Sequence, residues 1–161
     1  MKNLFNYFFI FSIYFSYSQS FDNQINKLID KNYNQTIDLR HWFHQNAELS
    51  NREFKTSKKI ASELKKIGFK PKEGIAKTGV IAILNEGKPG PVVALRADID
   101  GLPVKERVDI PWASKMYGKY NGEKVPVMHA CGHDTHISIL LATAKILFKL
   151  KDKIPGQVKF I

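Results

Sequence analysis

The feature that most constrains this sequence is an eight-residue run, HACGHDTH at positions 129–136, directly before a long apolar segment. Three histidines, an acid and the single cysteine of the chain lie within the run. Apolar side chains recur every three or four positions over residues 137–150, which predicts a helix, and further apolar residues on its other side predict a buried one. The run therefore occupies the turn into a core helix, where free backbone N–H groups and the helix dipole favour anionic ligands.

Cys131 and His133 are the strongest candidates for metal ligands in this run. They are two residues apart, so an extended approach to the helix points both side chains the same way. A thiolate and an imidazole suit zinc or a related transition ion, and Gly132 between them lets the backbone turn tightly. Asp134 or His136 can then orient an imidazole through its second nitrogen.

Other interpretations of this run stay open. An isolated cysteine is more often a small buried apolar residue than a ligand, and a Cys/His pair can also be a thiol nucleophile with its base. The neighbouring histidines and the intervening glycine favour the metal site over an inert cysteine. His129, taken alone, fits a hydrogen-bonded structural residue.

Two apolar segments upstream, residues 80–84 and 92–95, have the length and composition of β-strands. A turn rich in glycine and proline separates them, which predicts two neighbouring strands joined as a hairpin. The second strand is followed by Arg96, Asp98 and Asp100, and strand alternation directs these charged side chains the same way. Acids at a strand end are also common turn caps, and this interpretation stays open for Asp100.

Two amphipathic helices are predicted before these strands. The first covers residues 22–46, and we expect its apolar stripe to pack on the body of the domain: Ile25, Leu28, Ile29, Tyr33 and Ile37. The second begins at a capping box of Ser50 and Glu53 and ends at Gly68, which suits a left-handed cap.

The segments on either side of the metal-binding run are less regular. Residues 105–126 are polar and aromatic and indicate a loop, either lining a substrate pocket or forming an ordinary surface excursion. Residues 157–161 follow a Pro-Gly turn and open a further strand.

Several motifs in this order resemble one protein family. VMHACGHDTH at 127–136, preceded by LRADIDGLPV at 95–104, is similar to the metal-dependent amidohydrolases that include hippurate hydrolases, N-acyl-amino-acid amidohydrolases and plant auxin-conjugate hydrolases. Residues 39–50 and the KTGV turn at 77–80 also resemble segments of that family. The resemblance implies an α/β fold, in which residues 19–161 form the N-terminal part of a three-layer αβα metallopeptidase-like catalytic domain with an incomplete sheet.

The resemblance also implies roles for individual residues. Cys131 and His133 correspond to metal ligands and Asp98 to an active-site acid. Arg96 stands where the wider metallopeptidase superfamily has a ligand histidine, and an arginine cannot bind metal. The implied cofactor is a divalent ion, zinc or manganese, with two ions in a complete site. The implied substrate is a small N-acyl amino acid or peptide, and the implied full-length form is a homodimer.

The end of the sequence carries a further expectation. In the family, the strand that resembles residues 157–161 leads to a Glu-Glu pair, one member the general base and the other a ligand, and two ligand histidines follow later. Metal-assisted amide hydrolysis needs an activated water and a base. We therefore expect a truncated and inactive front part of a catalytic domain, without the lid or dimerisation domain. The alternative is a non-catalytic secreted fragment that binds metal or a partner.

The first residues and the charge bear on location and partners. Residues 1–18 have the basic start, apolar middle and small residues of a signal peptide cleaved after Ser18, which predicts export to the periplasm or the medium. The run is short for a bilayer span, so we expect no stable membrane insertion after cleavage, and an uncleaved anchor is the alternative. The net charge of +10 comes from scattered lysines without a nucleic-acid-binding motif, which disfavours a nucleic-acid partner.

Overall fold

The computed structural model of the chain describes the backbone of residues 2–161 and the side chains of residues 21–161. The predicted signal peptide, residues 1–18, lies outside the residues whose side chains are described. The chain divides into two compact units, Met1–Tyr33 and Asn34–Ile161. The helices and strands, in chain order, are α1 Lys2–Gln45, α2 Phe54–Ile67, β1 Lys72–Ile75, β2 Gly79–Leu84, β3 Val92–Leu95, β4 Met116–Tyr120, β5 Glu123–Val127, α3 His133–Lys149 and β6 Gln157–Phe160.

Helix α1 confirms the helix predicted over residues 22–46, because it ends at Gln45. In the predicted apolar stripe, Ile29 and Tyr33 are 45% and 61% exposed, and the packing of this stretch on the domain stays a prediction. Within the second unit, Phe43 of α1 is fully buried and Trp42 packs against the core. None of the helices in the described part of the chain is both long and apolar enough to cross a membrane.

The start of α2 differs from the predicted capping box. Glu53 occupies the N-cap position, but its buried side chain makes no capping hydrogen bond and its carboxylate bonds elsewhere. The carboxylate of Glu48 accepts hydrogen bonds from the backbone N–H groups of Lys55 and Thr56, at 3.2 and 2.8 Å. Glu48 thus satisfies the free donors of the first turn, and the prediction of Ser50 and Glu53 as a reciprocal pair is wrong.

The main sheet has four strands in the order β1-β2-β6-β3. Strand β6 is antiparallel to β2 and parallel to β3, with Val158 opposite both Leu84 and Val93. The predicted hairpin of β2 and β3 is therefore wrong, because β6 lies between them and β2 forms its hairpin with β1. The apolar segments themselves are confirmed as strands, but their lengths and composition carried no information about which strand separates them.

Residues 116–127 form a hairpin, so the prediction of a loop over 105–126 is wrong for this part. Strands β4 and β5 pair antiparallel around Asn121 and Gly122, whose φ angles are +49° and +87°. Positive φ at both central residues is characteristic of the tight hairpin turn that matches the twist of two strands. The Asn-Gly dipeptide was the signal in the sequence.

The core of the second unit lies between one face of the main sheet and helices α2 and α3. Alternate residues of β2 and β6 are buried, which is the pattern of strands covered on one face. Helix α3 is confirmed and buries Ile137, Leu141 and Ala144, but Ile139 is 56% exposed, so the helix is not buried on all sides. Gly68 ends α2 with φ of +117°, as predicted. The α/β fold class is confirmed.

Candidate metal centre

Three potential ligands meet where β3 ends and α3 begins. Asp98, His133 and His136 each offer one ligand atom, and these atoms all lie within 4.8 Å of one another. Asp98 follows the carboxyl end of β3, which runs parallel to β6, and in open α/β sheets ligands bind outside this end of the strands. His133 and His136 are three residues apart on α3 and so lie on one face of the helix. A carboxylate with two imidazoles suits a divalent transition ion.

His133 is held in a fixed orientation by Asp100. Its Nδ1 lies 2.9 Å from the backbone oxygen of Asp100 and 3.0 Å from its carboxylate Oδ1. A backbone carbonyl only accepts hydrogen bonds, so Nδ1 carries the proton and Nε2 has its lone pair free. Ligating histidines in proteins commonly donate their second ring N–H to a carboxylate or carbonyl in this way. The geometry of His133 therefore fits a metal ligand.

Asp98 also pairs with a cation. The guanidinium of Arg96 lies 2.7 Å from Asp98 Oδ1, and both side chains are substantially exposed. A cavity of about 330 Å³ opens beside Arg96, Asp98 and Asp100, and apolar side chains of α2 and α3 form much of its lining.

Only some of the site residues predicted from the sequence lie in this group. Asp98 and His133 lie together in the group, whereas Cys131 is exposed and lies outside it. The assumed extended approach is wrong, because Gly132 has φ of +88° and turns the chain between Cys131 and His133. Cys131 as a ligand stays a prediction. His136 was given only an orienting role, although its three-residue spacing from His133 on a helix was available as a signal.

Asp134, the residue after His133, belongs to an ionic network, which we call the Asp134 network: Arg40, His44, Glu106 and Asp134. Its side chains are buried except that of Arg40, which is 39% exposed. Asp134 Oδ2 lies 2.9 Å from His44 Nδ1 and 3.2 Å from Arg40 Nε, and His44 Nε2 lies 2.7 Å from Glu106 Oε2. The hydrogen bond to Asp134 raises the pKa of His44 against the opposite effect of burial. Burial favours the neutral form of Asp134, but the hydrogen bond from His44 and nearby charges hold the pKa of this carboxyl below its usual range.

His129 is buried without a hydrogen bond. It is 4% exposed, and neither ring nitrogen has a partner among the described residues. The prediction of a hydrogen-bonded structural histidine is therefore wrong. Burial disfavours the charged form and lowers the pKa of His129 to about 4, so the ring is neutral near pH 7.

Replacing Gly132 with alanine tests the turn before α3. An added Cβ would meet no atom within 4 Å, but the φ of +88° is strained for any residue with a side chain. We expect the free energy of unfolding to fall by about 1–2 kcal/mol, from backbone strain alone. Urea denaturation measures this, and Gly122→Ala is a matched control, since its φ is +87° in equally open space. A much larger loss at Gly132 than at Gly122 would show that the backbone is not the whole cause.

The fold is α/β, and Asp98, His133 and His136 form a candidate site for a divalent ion of the kind that metal-dependent hydrolases use. Residues 94–161 match the model of the peptidase family M20/M25/M40. The match confirms, for this part of the chain, the resemblance that the sequence motifs predicted.

Two similar proteins agree with this family match. The chain is 45% identical over 126 residues to thermostable carboxypeptidase 2 of Saccharolobus solfataricus, covering 78% of this chain and 30% of that protein. It is 40% identical over 138 residues to the N-acyl-L-amino acid amidohydrolase of Geobacillus stearothermophilus, covering 86% of this chain and 35% of that protein. This chain thus spans about a third of the length of these relatives.

A solved structure agrees with the fold. The crystal structure of a dinuclear metal-binding peptidase of the M20 family from Bacillus subtilis superimposes with a TM-score of 0.72 at 36% identity, covering 81% of this chain and 35% of that one. The likeness supports the predicted α/β metallopeptidase-like domain, of which the main sheet described above is a part.

Proposed function

We propose that this chain forms part of the metal site of a hydrolase that cleaves the amide bond of N-acyl amino acids or small peptides. The observation that carries the proposal is the group of Asp98, His133 and His136, with His133 oriented by Asp100. The names of the relatives, which include a carboxypeptidase, an N-acyl-amino-acid amidohydrolase and an N-acetyl-L-cysteine deacetylase, support cleavage of a C–N bond.

The residues of this chain have separate tasks in such a reaction. Asp98, His133 and His136 would hold a divalent ion, which would supply a Lewis acid for the substrate carbonyl and for the attacking water. Asp100 keeps the proton on His133 Nδ1, so that Nε2 is available without reorientation. The exposed guanidinium of Arg96 can pair with the carboxylate of an N-acyl amino acid. The cavity beside Asp98 offers space for an apolar acyl group.

The finer features of the proposal concern the metal and the completeness of the site. We propose zinc or manganese, since imidazoles suit zinc and carboxylates also suit manganese, with two ions in the complete site. The solved structure of the dinuclear metal-binding M20 peptidase supports two ions. We also propose that the 161 residues alone do not hydrolyse substrate, because the reaction needs a base and the Glu-Glu pair of the family is not in the sequence.

Export and assembly complete the proposal. The pattern of residues 1–18 supports a signal peptide and hence a periplasmic or secreted protein. The homodimer of the full-length form rests on the family resemblance alone. The alternative to the hydrolase, a secreted fragment without catalysis, predicts metal binding or partner binding but no turnover in any longer form of the protein.

The metal site is tested by calorimetric titration of the purified chain with Zn²⁺ and with Mn²⁺. We expect His133→Ala to weaken binding at least tenfold, since the variant removes a ligand. His41→Ala is the matched control, because His41 stacks on Trp112 with ring centroids 3.8 Å apart and is not part of the ligand group. Equal binding by the two variants, or no binding by the unaltered chain, would contradict the proposed metal centre.

Two further measurements separate the chemical alternatives. Cys131→Ser weakens metal binding if the exposed thiolate is a ligand, and leaves it unchanged if Cys131 is inert. Hydrolysis of hippurate is assayed on the protein from its natural source, with and without a chelator. Activity that chelators abolish supports the metal-dependent hydrolase, whereas activity lost only on thiol alkylation supports a cysteine hydrolase.

A further inference from the structure

The Asp134 network connects distant parts of the sequence to the residue next to a candidate ligand. Its hydrogen bonds join residues 62 to 94 positions apart in the sequence. Both ring nitrogens of His44 are hydrogen-bonded, Nδ1 with Asp134 and Nε2 with Glu106. His44 is 6% exposed and Asp134 is 1% exposed. We propose that His44 is a positioning residue: through Asp134 it sets the rotation of the first turn of α3, and so the directions in which His133 and His136 point. The inference rests on the proposed metal site.

The helical geometry of α3 explains how a contact at Asp134 acts on its neighbours. Successive residues of an α-helix are about 100° apart around the axis. Asp134 lies on the buried face with Ile137 and Leu141, whereas His133 and His136 lie on a face turned toward Asp98. A fixed position of the Asp134 carboxylate therefore determines where the two imidazoles point.

Asp134 is held from two sides. Its carboxylate Oδ2 accepts from His44 and Arg40, and its backbone oxygen accepts from Ser138 Oγ at 2.7 Å. Apolar contacts on the same face resist separation of the helix from the sheet, but they are non-directional and tolerate a small rotation. Hydrogen bonds to the carboxylate are directional, and metal ligands need to be held to within about 10–20°.

A role in stability alone explains the Asp134 network less well than a positioning role does. Removing charged groups from water is unfavourable, and well-packed apolar residues of similar volume are often as stabilising as a buried ion pair. The central carboxylate of the network belongs to Asp134, the residue that follows the candidate ligand His133 in the first turn of α3. This placement supports a directional role for the His44 to Asp134 hydrogen bond.

Two variants of His44 separate the two hydrogen bonds of its ring. In His44→Asn the amide nitrogen takes the place of Nδ1, so the bond to Asp134 is kept and the bond to Glu106 is lost. In His44→Gln the longer side chain places its amide nitrogen near Nε2, so the bond to Glu106 is kept and the bond to Asp134 is lost. Each variant removes the titratable ring and one of its two hydrogen bonds, which makes them matched controls for each other.

Three readouts are measured on the full chain and compared between the variants. They are the hydrogen exchange of the Thr135 and His136 amides, which donate to the Gly132 oxygen, the ¹⁵N shift of His133 Nδ1, and the affinity for Zn²⁺. For His44→Gln we expect faster exchange at both amides, loss of the single Nδ1-protonated form of His133, and Zn²⁺ affinity lower by about 10- to 100-fold. For His44→Asn we expect all three to stay close to those of the unaltered chain.

Equal effects of the two variants, or an unchanged first turn in His44→Gln, would overturn the inference and leave His44 with a role in stability alone. Absence of Zn²⁺ binding by the unaltered chain would contradict the proposed metal centre instead. In that case the exchange and ¹⁵N measurements still decide whether His44 positions the turn, because neither needs a bound ion.

Discussion

Replacing Asp134 with alanine is expected to lower the free energy of unfolding by about 3–5 kcal/mol, the usual effect of removing one partner from a buried charged network. His44 then remains buried with one of its two acceptors missing, and Arg40 loses its ion pair. Asp134 is also the main group that raises the pKa of His44, so the buried ring loses the partner that favours its charged form. Urea denaturation at neutral pH measures the change.

The control for this prediction is an ion pair on the surface. Lys65 and Glu73 lie 2.7 Å apart with side chains 58% and 38% exposed. We expect Glu73→Ala to change the free energy of unfolding by less than about 1 kcal/mol, because solvent screens exposed pairs. A loss at Asp134 no larger than the loss at Glu73 would show that the Asp134 network does not stabilise the fold.

Acidification from pH 6.5 toward pH 4 is expected to destabilise the chain by about 3 kcal/mol through His129 alone. The pKa of His129 is about 4 in the folded chain and near 6.5 in the unfolded chain, so between these values the unfolded state binds more protons. Stability contributed by the neutral ring is therefore complete above pH 6.5 and is lost as the pH falls toward the folded pKa. Thermal unfolding across this range measures the effect.

The pKa shifts of His44 and Asp134 act mainly outside this window. His44 has a raised pKa, so its contribution is fully present below 6.5 and is lost as the pH rises through its folded pKa. Asp134 has a lowered pKa, and its contribution begins to be lost near 3.8 and below. In His129→Leu, which removes the titrating ring at similar volume, the decline between pH 6.5 and 4 should be much shallower than in the unaltered chain. An equally steep decline in this variant would assign the acid sensitivity to other groups.

Patterns over a few neighbouring residues were sufficient for most elements of the fold. The apolar spacing of α3, the short apolar runs of β2, β3 and β6, and the stop at Gly68 were all confirmed. Periodicity and turn chemistry act within one or two helical turns or one strand, so the sequence contains them directly. The start of α2 failed because Glu48, rather than the nearer Ser50, reaches its free N–H groups.

The candidate site was predicted in part. Asp98 and His133 were identified from two motifs, and the structure brings them together with His136, which the sequence argument used only as an orienting residue. The role of Asp100 was left open and is now that of the group that orients His133. Cys131 stays a predicted ligand that the arrangement of the other three does not include.

Local sequence therefore specified the secondary structure elements, the α/β class and the stretch of chain that carries the candidate metal ligands, because these depend on side-chain periodicity and short motifs. The order of the sheet, with β6 between β2 and β3, depends on pairing between segments far apart in the chain, and no local pattern encodes which pairs form. The same holds for the Asp134 network, whose four residues are far apart in the sequence and meet only in the folded chain. Burial and partner choice are properties of the packed chain. They raise the pKa of His44 and lower that of His129, and the sequence alone predicts neither shift.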